Sequence, residues 1–223
     1  MIRCADDFGL NKDVDEGILQ LLQQKKLNAV SVMSLNVNPV SVVKLRAYAS
    51  TVKIGLHLDL FSRPFCLLSR TAIEVEIERQ VRFFYSQFGC YPSFYDGHMH
   101  CHIYPVIRGV LLKVVAKRLK PGLFVRSLTL KPELTKTKAP LKRLYLAMLG
   151  FFNRGLLKQL RVSGIRTNDF VYGVFNGHME FSEALRIAHS FSDEKNSILF
   201  CHPGMLNDKN ISRKAELDLL GNI

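Results

Sequence analysis

Short apolar runs alternate along this chain with longer stretches of helical period. Residues 2–5, 29–33, 54–58, 93–98, 123–126, 170–174 and 197–201 read as buried strands. Between them, residues 11–24, 40–49, 72–88, 104–118, 141–160 and 182–191 read as helices. Asn11, followed by Asp13, Asp15 and Glu16, predicts a helix start that suits the helix dipole, and Ser182 with Glu183 predicts another. Strand-then-helix order predicts parallel strands joined by crossover helices. About seven such strands predict an α/β fold, an irregular (β/α) barrel in preference to an open doubly wound sheet. No internal repeat or low-complexity linker divides the chain, so one domain over 1–223 is expected, with 131–166 read as a basic helical insertion or lid.

The polar residues gather where these strands end. Asp6 and Asp7 follow the first, His57 closes the third, Asp96-Gly-His98-Met-His100-Cys-His102 closes the fourth, and His202-Pro-Gly follows the last. In parallel α/β folds the carboxyl ends of the strands form the site-bearing face. Each segment has a plainer reading alone: Asp-Asp-Phe-Gly as a turn, His57 as a core histidine, His202-Pro-Gly as a loop entry. Five of the seven histidines fall in these segments, which makes the plain readings poor jointly. His98, His100 and His102 alternate, so on a strand they would share one face. At ~3.3 Å per residue they span too much length to bind one ion together, leaving one or two as ligands or partners of ligands.

One carboxylate and two neutral imidazoles make a set that leaves positions open for water and substrate, as catalytic metal sites do. Asp6, beside the ligand carboxylate, is then the candidate base, His202 the candidate acid, and Asp96 a candidate for orienting an imidazole. Other chemistries lack their signatures. There is no Gly-x-Ser-x-Gly elbow, no phosphate-binding glycine loop and no zinc-finger spacing.

Composition refines this picture. The apolar fraction of 48% is that of a globular chain. The formal charge is +12, and 131–166 holds nine basic residues against one acid, Glu133. Such a field favours anionic partners, although helical spacing argues against a nucleic-acid site in this stretch. Five cysteines without a CxxC pair predict reduced thiols and a cytoplasmic setting. The first residues lack the apolar run of a signal peptide, and no stretch approaches the ~20 apolar residues of a membrane span.

At Ala5-Asp-Asp-Phe-Gly-Leu10, Leu27-Asn-Ala-Val-Ser31, Gly55-Leu-His-Leu58, Asp96-Gly-His-Met-His-Cys-His102 with Pro105, and His202-Pro-Gly204, the sequence resembles the YdjC-like carbohydrate deacetylases. Arg126 and Arg213 with Glu216-Leu217 also look like family positions. The resemblance implies a deformed barrel related to NodB-type polysaccharide deacetylases, a homodimer, and hydrolysis of an N-acetyl group on an amino sugar. It implies a divalent metal, usually magnesium, on Asp7, His57 and His98, with Asp6 as base and His202 as acid. Asp96, His100, His102 and Arg126 are then expected to contact substrate or support the ligands. Two imidazoles suit zinc or another transition metal better than magnesium. Two competing readings are a metal hydrolase of another amide or phosphoester bond and a non-catalytic sugar-binding relative. The basic segment matches nothing typical of the family. Its helix either covers the site and favours an anionic or lipid-linked sugar at a membrane surface, or is a solvated lid with one buried face.

Overall fold

The computed structural model describes residues 1–60, 69–117, 123–175, 179–207 and 212–222. Six parallel strands form one sheet: β1 (Ile2–Phe8), β2 (Ala29–Val32), β3 (Lys53–Leu58), β4 (Tyr95–Gly97), β5 (Val171–Tyr172) and β6 (Ile198–Cys201). Their order is β4-β3-β2-β1-β6-β5, so β1 is central. Among the described residues seven α-helices accompany them: α1 (Lys12–Gln23), α2 (Pro39–Arg46), α3 (Arg70–Phe88), α4 (Pro105–Ala116), α5 (Pro140–Ser163), α6 (Phe181–Ser190) and α7 (Arg213–Gly221).

The helix ends follow local chemistry. Asn11 caps α1 by accepting the Val14 N–H at 3.0 Å, as its position predicts. Ser69 caps α3 in the same way, and Gly89, at φ 69°, ends it in the left-handed conformation. Helix α6 starts at Phe181, so Ser182 lies inside its first turn instead of capping it, while Glu183 is in the first turn as its position predicts. The predicted end of the fourth helix, Arg118, lies outside the described residues, as does Cys66. Cys4, Cys90, Cys101 and Cys201 are free thiols.

Two predicted strands differ from what forms. The segment 123–126 makes isolated bridges, Tyr95 to Val125 and Phe124 to Arg166, and Leu130 then bridges Val171. The stretch therefore touches both sheet edges by single pairs, β4 through Val125 and β5 through Leu130, and the sheet curls into a half-barrel with six laddered strands among the described residues instead of seven. The reason lies just downstream. The Ser127 and Leu128 N–H groups donate to the side-chain oxygens of Asn168 and Asn153, both at 2.8 Å, so no ladder continues there. The second difference concerns 93–98. Strand β4 stops at Gly97, and His98–Ile103 is a tight 3-10 turn with Met99 and His100 at φ 47° and 60°.

Candidate active site

Strand alternation would send adjacent Asp6 and Asp7 to opposite faces. A bulge prevents this. Between Ala5 and Phe8 the register of β1 against β2 slips by one residue, and Asp7 takes φ 70°. Gly9 completes the turn at φ 94°, where a Cβ would sit 2.8 Å from the Met33 carbonyl oxygen. Both carboxylates consequently line the same cleft, of about 610 Å³, at the carboxyl ends of the strands. That volume is in the range of small-molecule sites.

Asp7 Oδ1 lies 3.3 Å from His57 Nε2 and 2.8 Å from His98 Nδ1. These three side chains present donor atoms that all lie within 4.8 Å of one another. Asp7 Oδ2 accepts a hydrogen bond from Arg213 Nη2 at 2.8 Å. Burial would raise the Asp7 pKa, but the bonds from His57 and His98 hold its carboxyl well below the usual range. On its far side His57 Nδ1 is 2.6 Å from Asp96 Oδ1, which also accepts from the Ser31 hydroxyl at 2.5 Å. This carboxylate fixes the tautomer that aims Nε2 at Asp7.

Asp6 is held differently. Arg126 donates to both of its oxygens, at 2.9 and 2.6 Å, while Nη2 also lies 2.8 Å from Asp96 Oδ2. Asp6, His57 and Asp96 form a second group with metal-compatible spacing. Arg126 takes both Asp6 oxygens and pairs with Asp96, whereas Arg213 engages only Oδ2 of Asp7 and leaves Oδ1 to the imidazoles, so the Asp7–His57–His98 set is the better match for a cation.

His202 faces the cleft, edge-on to Phe200 with ring centroids 5.5 Å apart. Burial lowers its pKa against the opposing pull of Asp7 and Asp6, so any proton it carries is given up readily. Its backbone N–H donates to Glu216 Oε2 at 2.6 Å. Burial raises the Glu216 pKa to about 8 despite that bond.

The three alternating histidines do not share a face, because they lie on the tight turn and not on a strand. His98 reaches Asp7. His100 is set between Phe175 and Phe200 at the cleft wall, with centroids 5.1 and 5.9 Å away, where burial pushes its pKa well below the ordinary value. His102 is fully buried, and its Nε2–H donates to the Arg126 carbonyl at 3.0 Å. Its pKa is pushed down to about 4, chiefly by burial.

Four further residues belong to this constellation without having been assigned a site role from sequence: Ser31, Tyr145, Arg213 and Glu216. The last two are spaced three apart, so helix α7 presents both on one side. That spacing, together with their placement among the resembling positions, was the available signal. Tyr145 reaches the cleft from the basic helix α5.

A curled sheet of parallel strands flanked by helices, with acids and imidazoles at its carboxyl rim, defines an α/β protein of the half-barrel class, and in such folds that rim is where sites lie. A family model described as YdjC-like protein matches residues 1–222, and the chain belongs to that family. Among solved structures, one from Enterococcus faecalis V583, named for cellobiose-phosphate cleavage, is similar with TM-score 0.70 and 17% identity over 99% of this chain and 89% of that one. Orotidine 5'-monophosphate decarboxylase from Methanocaldococcus jannaschii is similar with TM-score 0.50 and 9% identity, over 100% and 98%. The chitin deacetylase of Colletotrichum lindemuthianum aligns with TM-score 0.48 and 13% identity, over 99% and 80%. At these identities the likeness to the first two is one of fold alone. No curated protein sequence matches the chain.

Proposed function

We propose that this protein is a metal-dependent hydrolase that removes the N-acetyl group from an acetylated amino sugar or oligosaccharide and releases acetate. One observation carries the reading: Asp7 Oδ1 faces both His57 Nε2 and His98 Nδ1, with Asp6 and His202 on the same cleft. Membership of the YdjC-like family supports it.

Asp7, His57 and His98 would hold the ion, and two imidazoles with one carboxylate suit zinc or another transition metal better than magnesium. A bound divalent ion supplies Lewis acidity, lowering the pKa of water and polarising a carbonyl oxygen. The chain's own residues divide the proton work. Asp6, oriented by Arg126, takes a proton from water as the water oxygen bonds to the acetyl carbon. His202 gives a proton to the amide nitrogen as the C–N bond breaks, leaving acetate and a free amine. Pure binding would not require this acid–base pair, which favours the enzyme over a sugar-binding relative.

The test is acetate release from N-acetylglucosamine oligomers, with metal content measured on the same samples. Asp7→Ala and His57→Ala should lose metal and activity together. Asp6→Asn should keep the metal while turnover falls about 10²–10⁴-fold. A fully active Asp6→Asn overturns the base assignment, and an inactive but metal-loaded parent overturns the substrate class.

A further inference from the structure

The outer face of α5 carries chemistry that the proposed reaction does not use. The helix contains five cations, Lys142, Arg143, Arg154, Lys158 and Arg161, and no acid. It runs for 24 residues, about 36 Å at 1.5 Å per residue. Leu146, Leu149, Leu156 and Leu160 form its buried side, which packs on α4 and on the His98–Ile103 turn.

Away from that side, Leu141, Leu144, Phe151 and Val162 are 81%, 68%, 63% and 81% exposed. The steps from Leu144 to Phe151 to Val162 are multiples close to whole turns, so these three share one row. Arg143, Arg154 and Arg161 form a second exposed row beside it, with Lys158 between the two. The Arg154 guanidinium lies 5.8 Å from the centroid of the Phe151 ring, so the rows touch. Among the described residues, Arg154, Lys158 and Arg161 form no ion pair.

A partner for this face must be anionic and apolar at once. Nucleic acid would satisfy the arginines and leave the leucines and Phe151 in water. A second copy of this chain would bring five more cations against the first five. An anionic bilayer offers both halves: headgroup phosphates for the cations, and the acyl boundary for the apolar row. We infer that the outer face of α5 is a docking surface for anionic lipid membranes. The inference stands apart from the proposed reaction; Tyr145 of the same helix lines the cleft from a different side of the helix.

Co-sedimentation of the full chain with vesicles tests it. Mixed phosphatidylglycerol–phosphatidylcholine vesicles should bind at least about tenfold more strongly than pure phosphatidylcholine, and high salt should weaken the binding. Arg154→Glu/Arg161→Glu and Leu144→Ser/Phe151→Ser should each reduce it about tenfold or more, with circular dichroism confirming the parental fold. Several results overturn the inference: no binding to anionic vesicles, equal binding to neutral ones, or parental binding by either variant. Retention of duplex RNA in place of vesicles assigns the face to nucleic acid. A solution mass that falls in the serine variant, without vesicle binding, assigns it to a second copy.

Discussion

Replacing Arg126 with methionine removes the cation on which two buried carboxylates converge. The Arg126, Asp6 and Asp96 side chains are 1%, 2% and 0% exposed. At an effective dielectric near 20, each guanidinium–carboxylate pair with charge centres about 4 Å apart attracts by about 4 kcal/mol. Desolvation of the three ions offsets most of that attraction in the intact network, so the pairs themselves add little net stability. Removing only the cation exposes the other side of the balance, since it leaves charge buried without compensation, at a cost of about 3–5 kcal/mol. The deficit should depend on pH. Burial would raise the Asp96 pKa, but Arg126, followed by His57, holds it below the usual carboxylate range. An acid with a depressed pKa contributes stability above its unfolded value, near 3.9, and loses it as pH falls through the folded value. Without Arg126 the folded pKa rises, so the deficit should be full at neutral pH and shrink on acidification. Urea denaturation of the chelated protein at two pH values measures this. An unfolding free energy at neutral pH within about 1 kcal/mol of the parent's, or a deficit that grows in acid, refutes the reasoning.

Metal affinity should rise with pH. Burial would lower the His57 pKa, but Asp96 and Asp7 raise it to about 10, so ligation must expel a proton. Zinc affinity measured against a competing chelator should climb about tenfold per pH unit below that value, and a flat profile refutes His57 as a ligand. Gly17→Ala should destabilise the fold by about 1–3 kcal/mol despite better helix propensity. Its Cβ would meet the Gly204 Cα at 2.8 Å and N at 3.0 Å, backbone atoms that cannot swing aside. The displaced loop carries His202, so kcat should fall more than KM changes, and unaltered turnover refutes the coupling.

Much of the fold was readable because buried parallel strands are near-continuous apolar runs. Strands β1, β2, β3 and β6 form within a few residues of where those runs lie. Helix α7 was not read because it turns polar residues inward: Arg213 and Glu216 are each 3% exposed, which dilutes the apolar period of Leu217 and Leu220. At the site, position at strand ends singled out Asp6, Asp7, His57, Asp96, His202 and the run holding His98, His100 and His102, and the family resemblance then selected His98 among the three. Ser31 was invisible as a site residue, because it sits within an apolar strand and its partner Asp96 lies 65 residues away. The bulge at Asp6-Asp7 was equally hidden, since only pairing with β2 reveals the extra residue.

The turn after β4 explains why three closely spaced histidines serve one site without acting alike. On a strand, alternate residues would stand about 6.6 Å apart and project in parallel, so at most one could reach Asp7. Two consecutive left-handed residues, Met99 and His100, fold the segment back on itself instead. Such conformations cost of order 1–3 kcal/mol each away from glycine and persist only where the surroundings enforce them. Here the enforcement is visible. Gly97 lets Cys101 pack where a Cβ would lie 2.6 Å from its Sγ, the aromatic pair Phe175 and Phe200 clamps His100, and the Arg126 carbonyl fixes His102. Because Arg126 also grips Asp6, the turn that delivers His98 to Asp7 is tied to the residue that orients the proposed base. The position of the proposed ion and the aim of that carboxylate are thus set by one connected piece of structure.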